Sequence, residues 1–283
     1  MTFADLWKLF VRHPQNVIGV TMLAGYLFMA VVGPSLYPAI LPTNANAIYL
    51  PPSWVHPLGT DYAGRDVLAL IVIGTRAVLE VASTAAVITV VVGVVIGLWS
   101  GFLGGRVDMI LMRITDMFLT VPGLPLLILI ASIVSMTNPL LIAVLLSITA
   151  WGGLARAVRS QVLSYREREY VEAARSLRLG TRHILFQEIT PNLMPYIVMH
   201  LLLAVTGAIY AEVGLFYLGV FPYKSNNWGV MLNLAYNQGG AIYSSQSMFY
   251  LIAPMAAILL LQLAIVLVLR FVEEVFNPRL RVS

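Results

Sequence analysis

The sequence predicts an all-α, polytopic membrane protein of six transmembrane helices with both ends on the cytoplasmic side, and three observations carry that prediction. Only 11% of the 283 residues are charged and 59% are hydrophobic, at a mean hydropathy of +0.86, whereas soluble domains carry about 25% charged residues. Six apolar stretches are long enough to cross a hydrocarbon core, which takes about 20 helical residues. Assigned to alternate sides of those stretches, fourteen Lys and Arg fall on one side and three on the other, accounting for all 17. Such a bias sets the base-rich side, and with it both termini, inside.

Taken in order, the first span is expected at 17 to 37. Lys8 and Arg12 precede it and an Ala45-Asn46-Ala47 triplet follows, but an apolar run of about 21 residues exceeds the 7 to 15 of a signal core, so a retained span is expected. An outer segment, 38 to 76, is turn-rich, with Pro38, Pro42, Pro51, Pro52 and Pro57. The second span, 77 to 103, carries Gly93, Gly97, Gly101 and Gly105 at every fourth position, a bare face suited to close helix contact. The third, 109 to 136, contains Pro122 and Pro125 and should be kinked or broken there. The fourth is placed at 138 to 158, the fifth at 193 to 219 and the sixth at 248 to 271. A second outer segment, 220 to 247, is polar and aromatic, with Trp228, Tyr236 and Tyr243. Neither outer segment has the apolar surface for a core of its own. The organisation is therefore 1–76, a first helix with its outer loop, and 77–283, a five-helix core with a cytoplasmic loop at 161–191.

Zero cysteines exclude a disulfide framework and cysteine-ligated metal. The net charge of +4 fits membrane topology and not a nucleic-acid partner, because the bases are dispersed among apolar segments. No catalytic constellation is present. The only Lys followed by Ser or Thr is Lys224-Ser225, with Tyr223 before it where a phosphate loop requires Gly, so the chain is not expected to bind ATP itself.

The polar island from Tyr165 to Asn192 stands out against these spans. Ser164 and Glu167 match a capping box, which predicts a helix from about Tyr165. Tyr170, Ala173, Ala174 and Leu177 recur at helical spacing as its apolar stripe, while Glu167, Arg168, Arg175 and Arg178 lie off it. Gly180 fits the left-handed position after the helix, and Thr181 is placed to cap a second short helix that Pro191 ends. The plain alternative is a loop on the headgroups whose arginines meet anionic lipid, but Ala173, Ala174 and Gly180 favour close approach by another protein.

This island resembles the EAA loop of ABC importer permeases: Glu-Ala-Ala, three residues, Gly, about nine residues, then Ile-x-Leu-Pro. Here Glu172-Ala173-Ala174 and Ile189-Thr190-Pro191 match. Arg178 stands at the family's glycine position and Thr190 at its leucine, so Gly180 is expected to supply the turn two residues late, since arginine takes left-handed angles at a cost. HPLGTDYAGRDVL at 56–68, GGRVDMILMRITDMFLTVP at 104–122, EREYVEAARSL at 167–177 and FNPRLR at 276–281 are similar to the dipeptide and oligopeptide branch. The resemblance implies a type I importer permease fold in the cell membrane and half of a pore completed by a second, homologous permease subunit. It also implies two ABC ATPase subunits that bind ATP and Mg, and an extracytoplasmic substrate-binding protein. Glu169, Glu172, Ala173, Ala174, Leu177, Arg178, Gly180 and Thr181 are then the expected ATPase-coupling residues, with Glu172 as the charged contact. Substrates of the branch are peptides, oligosaccharides and nickel.

Other candidates are read more plainly. Glu80 and Glu212 lie toward the outer ends of spans and are expected to reach water by snorkelling; with Trp228 they are the candidate pore or outer-face contacts. His56, Asp61 and Asp66 match no metal-site spacing and fit turn or helix caps. Arg113 and Asp116 are expected to pair locally on one helix. The rival from another class, a carrier driven by an ion gradient, usually gathers ionisable groups at mid-membrane, and here they lie near span ends.

Overall fold

The computed structural model describes residues 3–38, 40–134, 138–221, 226–240 and 246–276. Tyr223, Lys224, Ser225, Tyr243 and the residues of the FNPRLR ending after Phe276 lie outside them. Eleven helices are described: α1 (Phe3–Arg12), α2 (Pro14–Leu36), α3 (Val67–Leu103), α4 (Gly105–Thr120), α5 (Gly123–Ile133), α6 (Pro139–Tyr165), α7 (Glu169–Ser176), α8 (Thr181–His183), α9 (Thr190–Tyr217), α10 (Trp228–Asn237) and α11 (Met248–Phe276). Among the described residues the only β pairing is an isolated bridge from Thr60 to Asp66. Five helical runs are long and apolar enough to span, and the bent α4–α5 pair makes a sixth. That pair turns by 86° at Val121–Pro122, where the prolines predict a break.

The α3–α6 seam organises the bundle, and these two helices share its broadest contact. A Cβ added at Gly97 would lie 2.6 Å from the Ala155 carbonyl oxygen and 2.7 Å from the Val158 Cβ. At Gly93 and Gly101 the nearest atoms, on Leu154 and Val162, are 3.0 and 2.8 Å away. Ala155, Val158 and Val162 are fully buried there. Gly105 is the exception in the predicted row: it stands apart from the seam in open space, at φ +54°.

Several boundaries differ from expectation. Helix α3 starts at Val67, ten residues before the expected 77, because the Asp66 carboxylate accepts the Ala69 amide at 2.9 Å and caps it. Its 37 residues measure roughly 55 Å, well over the thickness of a hydrocarbon core of about 30 Å. Arg76 lies on this helix and not in the loop. The shortened loop is tied down internally: buried Asp61 accepts the amides of Ala63 and Arg65 and the Arg65 guanidinium at 2.7 Å. Burial, with Asp61 and Tyr62 close by, raises the pKa of the Tyr49 phenol beside it. Thus Asp61 and Asp66 serve as turn and helix caps, and His56 Nδ1 sits 2.8 Å from Asp66.

Helix α6 runs seven residues beyond 158, since Val158 and Val162 continue the seam and Arg159 pairs with Asp108 at 2.5 Å. The second outer segment folds a helix of its own, α10, whose Asn227 side chain caps it by accepting the Gly229 amide. Beyond α8, the chain passes through a π-helical turn, Ile184–Ile189, straight into α9. Pro191 therefore does not end a helix. It falls in the first turn of α9, where its missing N–H costs least.

The seam yields a paired test. Gly97→Ala should destabilise the purified chain by roughly 1–3 kcal/mol through overpacking, while Gly153→Ala, with nothing within 4 Å of its Cβ, should leave thermal unfolding unchanged or shift it upward.

Candidate functional site

The loop between α6 and α9 folds as a compact elbow. Helix α6 ends at Tyr165, the Arg166 amide closing its last turn on Val162 O at 2.9 Å. Ser164 lies inside that turn, so the expected capping box does not form. Helix α7 begins only at Glu169, after Arg168 in an extended conformation with no side-chain cap. The inward side of α7 is Val171 and Ala174, both buried with Val158, Val162, Ile184, Leu185 and Ile189. The expected stripe of Tyr170, Ala173, Ala174 and Leu177 is therefore rotated: of its four members only Ala174 faces in. Val171, an apolar residue among charges with Ala174 three positions on, was the available signal for the true inner face.

What α7 turns outward is Glu169, Glu172, Ala173, Ser176 and Leu177, all exposed, Leu177 to 74%. Leu177 is thus an exposed apolar residue framed by acidic and small residues on a short polar helix. The first-turn acids Glu169 and Glu172 also complement the positive end of the helix.

The turn after α7 overturns the expectation for Gly180. Arg178 itself takes the left-handed conformation, φ +55°. The Arg178 amide donates to Arg175 O at 2.9 Å and the Leu179 amide to Ala174 O at 3.1 Å, the paired bonds of a Schellman motif. Gly180 is extended (φ −64°, ψ 151°) and precedes α8 with no side-chain cap, and Thr181 is the first helical residue, not the cap. The turn thus lies at the expected family position with arginine in it. Two backbone bonds hold a residue that would otherwise avoid those angles.

Further ties fix the elbow to the spans, and the sequence reading missed all of them. The Arg166 guanidinium donates to Gly101 O at 3.2 Å, and the Arg175 guanidinium lies over the Phe102 ring at 5.2 Å, so both hold α3. Tyr165 donates to Asn192 O at 3.2 Å, and the Asn192 amide reaches Glu188 O and the Tyr170 hydroxyl at 2.7 and 3.4 Å. Partial burial, aided by Tyr165 and Glu188 and opposed by Arg168, raises the Tyr170 phenol above its ordinary pKa. Apart from Glu188, these partners are distant in sequence, so spacing within the island held no sign of them.

The other candidates do not join this site. Glu80 is exposed on α3. Glu212 does not snorkel: it is fully buried, with Oε1 accepting the Asn227 amide at 2.6 Å and Oε2 without a partner among the described residues. Helix α10, which the sequence reading did not foresee, covers it. Trp228 is no outer-face contact either; it is fully buried, donates its indole N–H to Ile71 O at 3.1 Å and packs edge-on to Tyr26. Asp116 pairs with Arg156 of α6 at 2.6 Å and not with Arg113.

Arg178 is the most direct check on this geometry. Arg178→Gly should stabilise the chain by about 1 kcal/mol by relieving the left-handed strain, whereas Gly180→Ala, in open space with negative φ, should change thermal unfolding little.

Comparison with known proteins gives a consistent result. The family described as binding-protein-dependent transport system inner membrane component matches residues 93–282, from within the α3 seam through the elbow and α11. A Bacillus subtilis protein named dipeptide transport system permease protein DppC is 37% identical over 81% of this chain and 72% of its own length. A Brucella suis protein named as a putative peptide permease is 35% identical over 95% of this chain and 89% of its own. The Bacillus subtilis oligopeptide transport system permease protein OppC is 36% identical over 80% and 76%. With a family match over two thirds of its length and these relatives along most of it, the chain belongs to the binding-protein-dependent transport system inner membrane components, the multi-pass membrane permeases of ABC importers.

Proposed function

We propose that this chain forms half of the translocation path of an ATP-driven peptide importer and couples to one ATPase subunit through the outward face of α7. The observation that carries the proposal is the elbow. Its inner side is locked into α3, α6 and α9, while Glu169, Glu172, Ala173 and Leu177 remain exposed and contact no part of this chain's core. A partner seated on that face moves three spans together. The small Ala173 lets the partner's surface approach closely, Leu177 offers an apolar anchor, and Glu172 sets register with a basic group.

In this reading the chain is oriented N-in and C-in, as the base distribution requires, so the elbow lies where ATP is available. A second, homologous permease completes the pore. Two ABC ATPases bind ATP and Mg, and an extracytoplasmic binding protein delivers substrate to the outer loops. ATP binding closes the ATPase pair, the elbows follow, and the spans pass from inward-facing to outward-facing. Peptides are favoured as substrate because the similar proteins named above carry dipeptide, oligopeptide or peptide in their names.

Charge reversal at Glu172 tests the coupling. Glu172→Lys should lower co-purification of the ATPase subunits, or their substrate-stimulated ATP hydrolysis, by roughly tenfold or more, the scale of a lost interfacial charge pair. Wild-type assembly and stimulation in that variant would contradict the role.

A further inference from the structure

Helices α4 and α6 enclose an open basin of about 500 Å³ lined by Asp108, Met109, Met112, Arg113, Asp116, Arg156 and Arg159. Three arginines face two aspartates, and they are unequally engaged. Asp108 is committed: Arg159 grips both its oxygens at 2.5 Å, and Ser100 donates to it as well. Asp116 and Arg156 share one bond at 2.6 Å and remain 56% and 57% exposed. Arg113 is exposed and has no ion pair among the described residues. The basin therefore has one uncommitted guanidinium, a second held by a single exchangeable contact, and a carboxylate within the same cluster.

Such a cluster on spanning helices does not face lipid, because charged groups there turn to water-filled cavities or to protein. With the chain read as half of a pore and oriented by its base distribution, the α4–α6 basin lies on the aqueous path near its inner mouth. Its apolar wall is Met109 and Met112, unbranched and polarizable side chains that adapt to many shapes. Guanidinium groups bind carboxylates through paired, charge-assisted hydrogen bonds, and a methionine wall accepts varied side chains without selecting among them. A short peptide presents both features: an invariant terminal carboxylate and variable side chains.

We infer that the Arg113–Asp116–Arg156 basin is an exit-side station that binds the free C-terminal carboxylate of the translocated peptide, with Arg113 as its principal contact and Met109 and Met112 as a tolerant wall. The inference rests on reading the chain as half of a peptide-conducting pore. In that orientation, peptide accumulated on the ATPase side refills the station and slows the next transport cycle.

The test uses the complete complex in proteoliposomes with the ATPases facing the lumen, following uptake of a labelled peptide. The lumen is preloaded with trialanine, with trialanine amide, or with sodium acetate at equal concentration, and each variant is normalised to its own unloaded rate. The expected result is inhibition by trialanine and not by the amide or by acetate. Arg113→Gln should weaken that inhibition roughly tenfold, the scale of a lost hydrogen bond between charged groups, and Arg113→Lys, which keeps the charge but not the paired geometry, should fall between that variant and the wild type. Equal inhibition by the amide or by acetate, unchanged inhibition in Arg113→Gln, or no effect of lumenal trialanine on the wild type overturns the station. Wild-type uptake that proceeds for peptides leaves the importer reading intact in each of those cases. A wild-type complex that takes up no peptide overturns that reading and the station with it.

Discussion

The close contact between α3 and α6 is the constraint from which the rest of this structure follows. Two apolar helices in lipid gain no hydrophobic free energy by touching, because the tails they displace are as apolar as they are, so association depends on dispersion and on how near the backbones come. Gly93, Gly97 and Gly101 remove the side chains that would hold α6 away, and Leu154, Ala155, Val158 and Val162 fill the groove. With α6 fixed there, Arg159 meets Asp108 on α4 and Arg166 reaches Gly101 on α3. Val171 and Ala174 then have a buried surface to close against. The elbow is stiff because the seam beneath it is tight.

That stiffness gives the exposed face of α7 its significance. A short polar helix of eight residues is not stable alone, and this one is held by tertiary ties on both flanks. Arg175 over Phe102 joins it to α3, the Schellman turn at Arg178 fixes its exit, and Asn192 binds Tyr170 across to α9. In the proposed coupling, force applied to Glu172 or Leu177 passes to several spans without first being absorbed in a loose loop. The π-helical turn at Ile184–Ile189 keeps the chain helical from the elbow into α9, so that flank is continuous too.

What the sequence made legible followed from periodicity and composition. The apolar runs marked the six spans, Pro122 marked the broken one, the four-residue glycine spacing marked the seam, and the polar island marked the elbow. What stayed hidden depended either on partners far along the chain or on local signals that the surrounding structure overrode. Asp66 starts α3 early through a local cap that a proline-rich, turn-like context masked. Glu212 looked like a snorkelling acid because nothing in its neighbourhood announces α10, whose capping Asn227 reaches it. Arg178 looked unfit for a left-handed turn on intrinsic preference, yet two backbone hydrogen bonds outweigh roughly 1 kcal/mol of conformational cost. Ser164 carried a sound capping signal that lost to Val158 and Val162, which extend α6 through it.

The native chain contains no cysteine, so single cysteines at 169 through 180 can be labelled with a maleimide one at a time, in the permease alone and in the assembled complex. The account predicts that positions 171 and 174 resist labelling in both, while 169, 172, 173, 176 and 177 label readily in the permease and become protected on assembly with the ATPase subunits. Equal labelling of 172, 173 and 177 in the two states would contradict it.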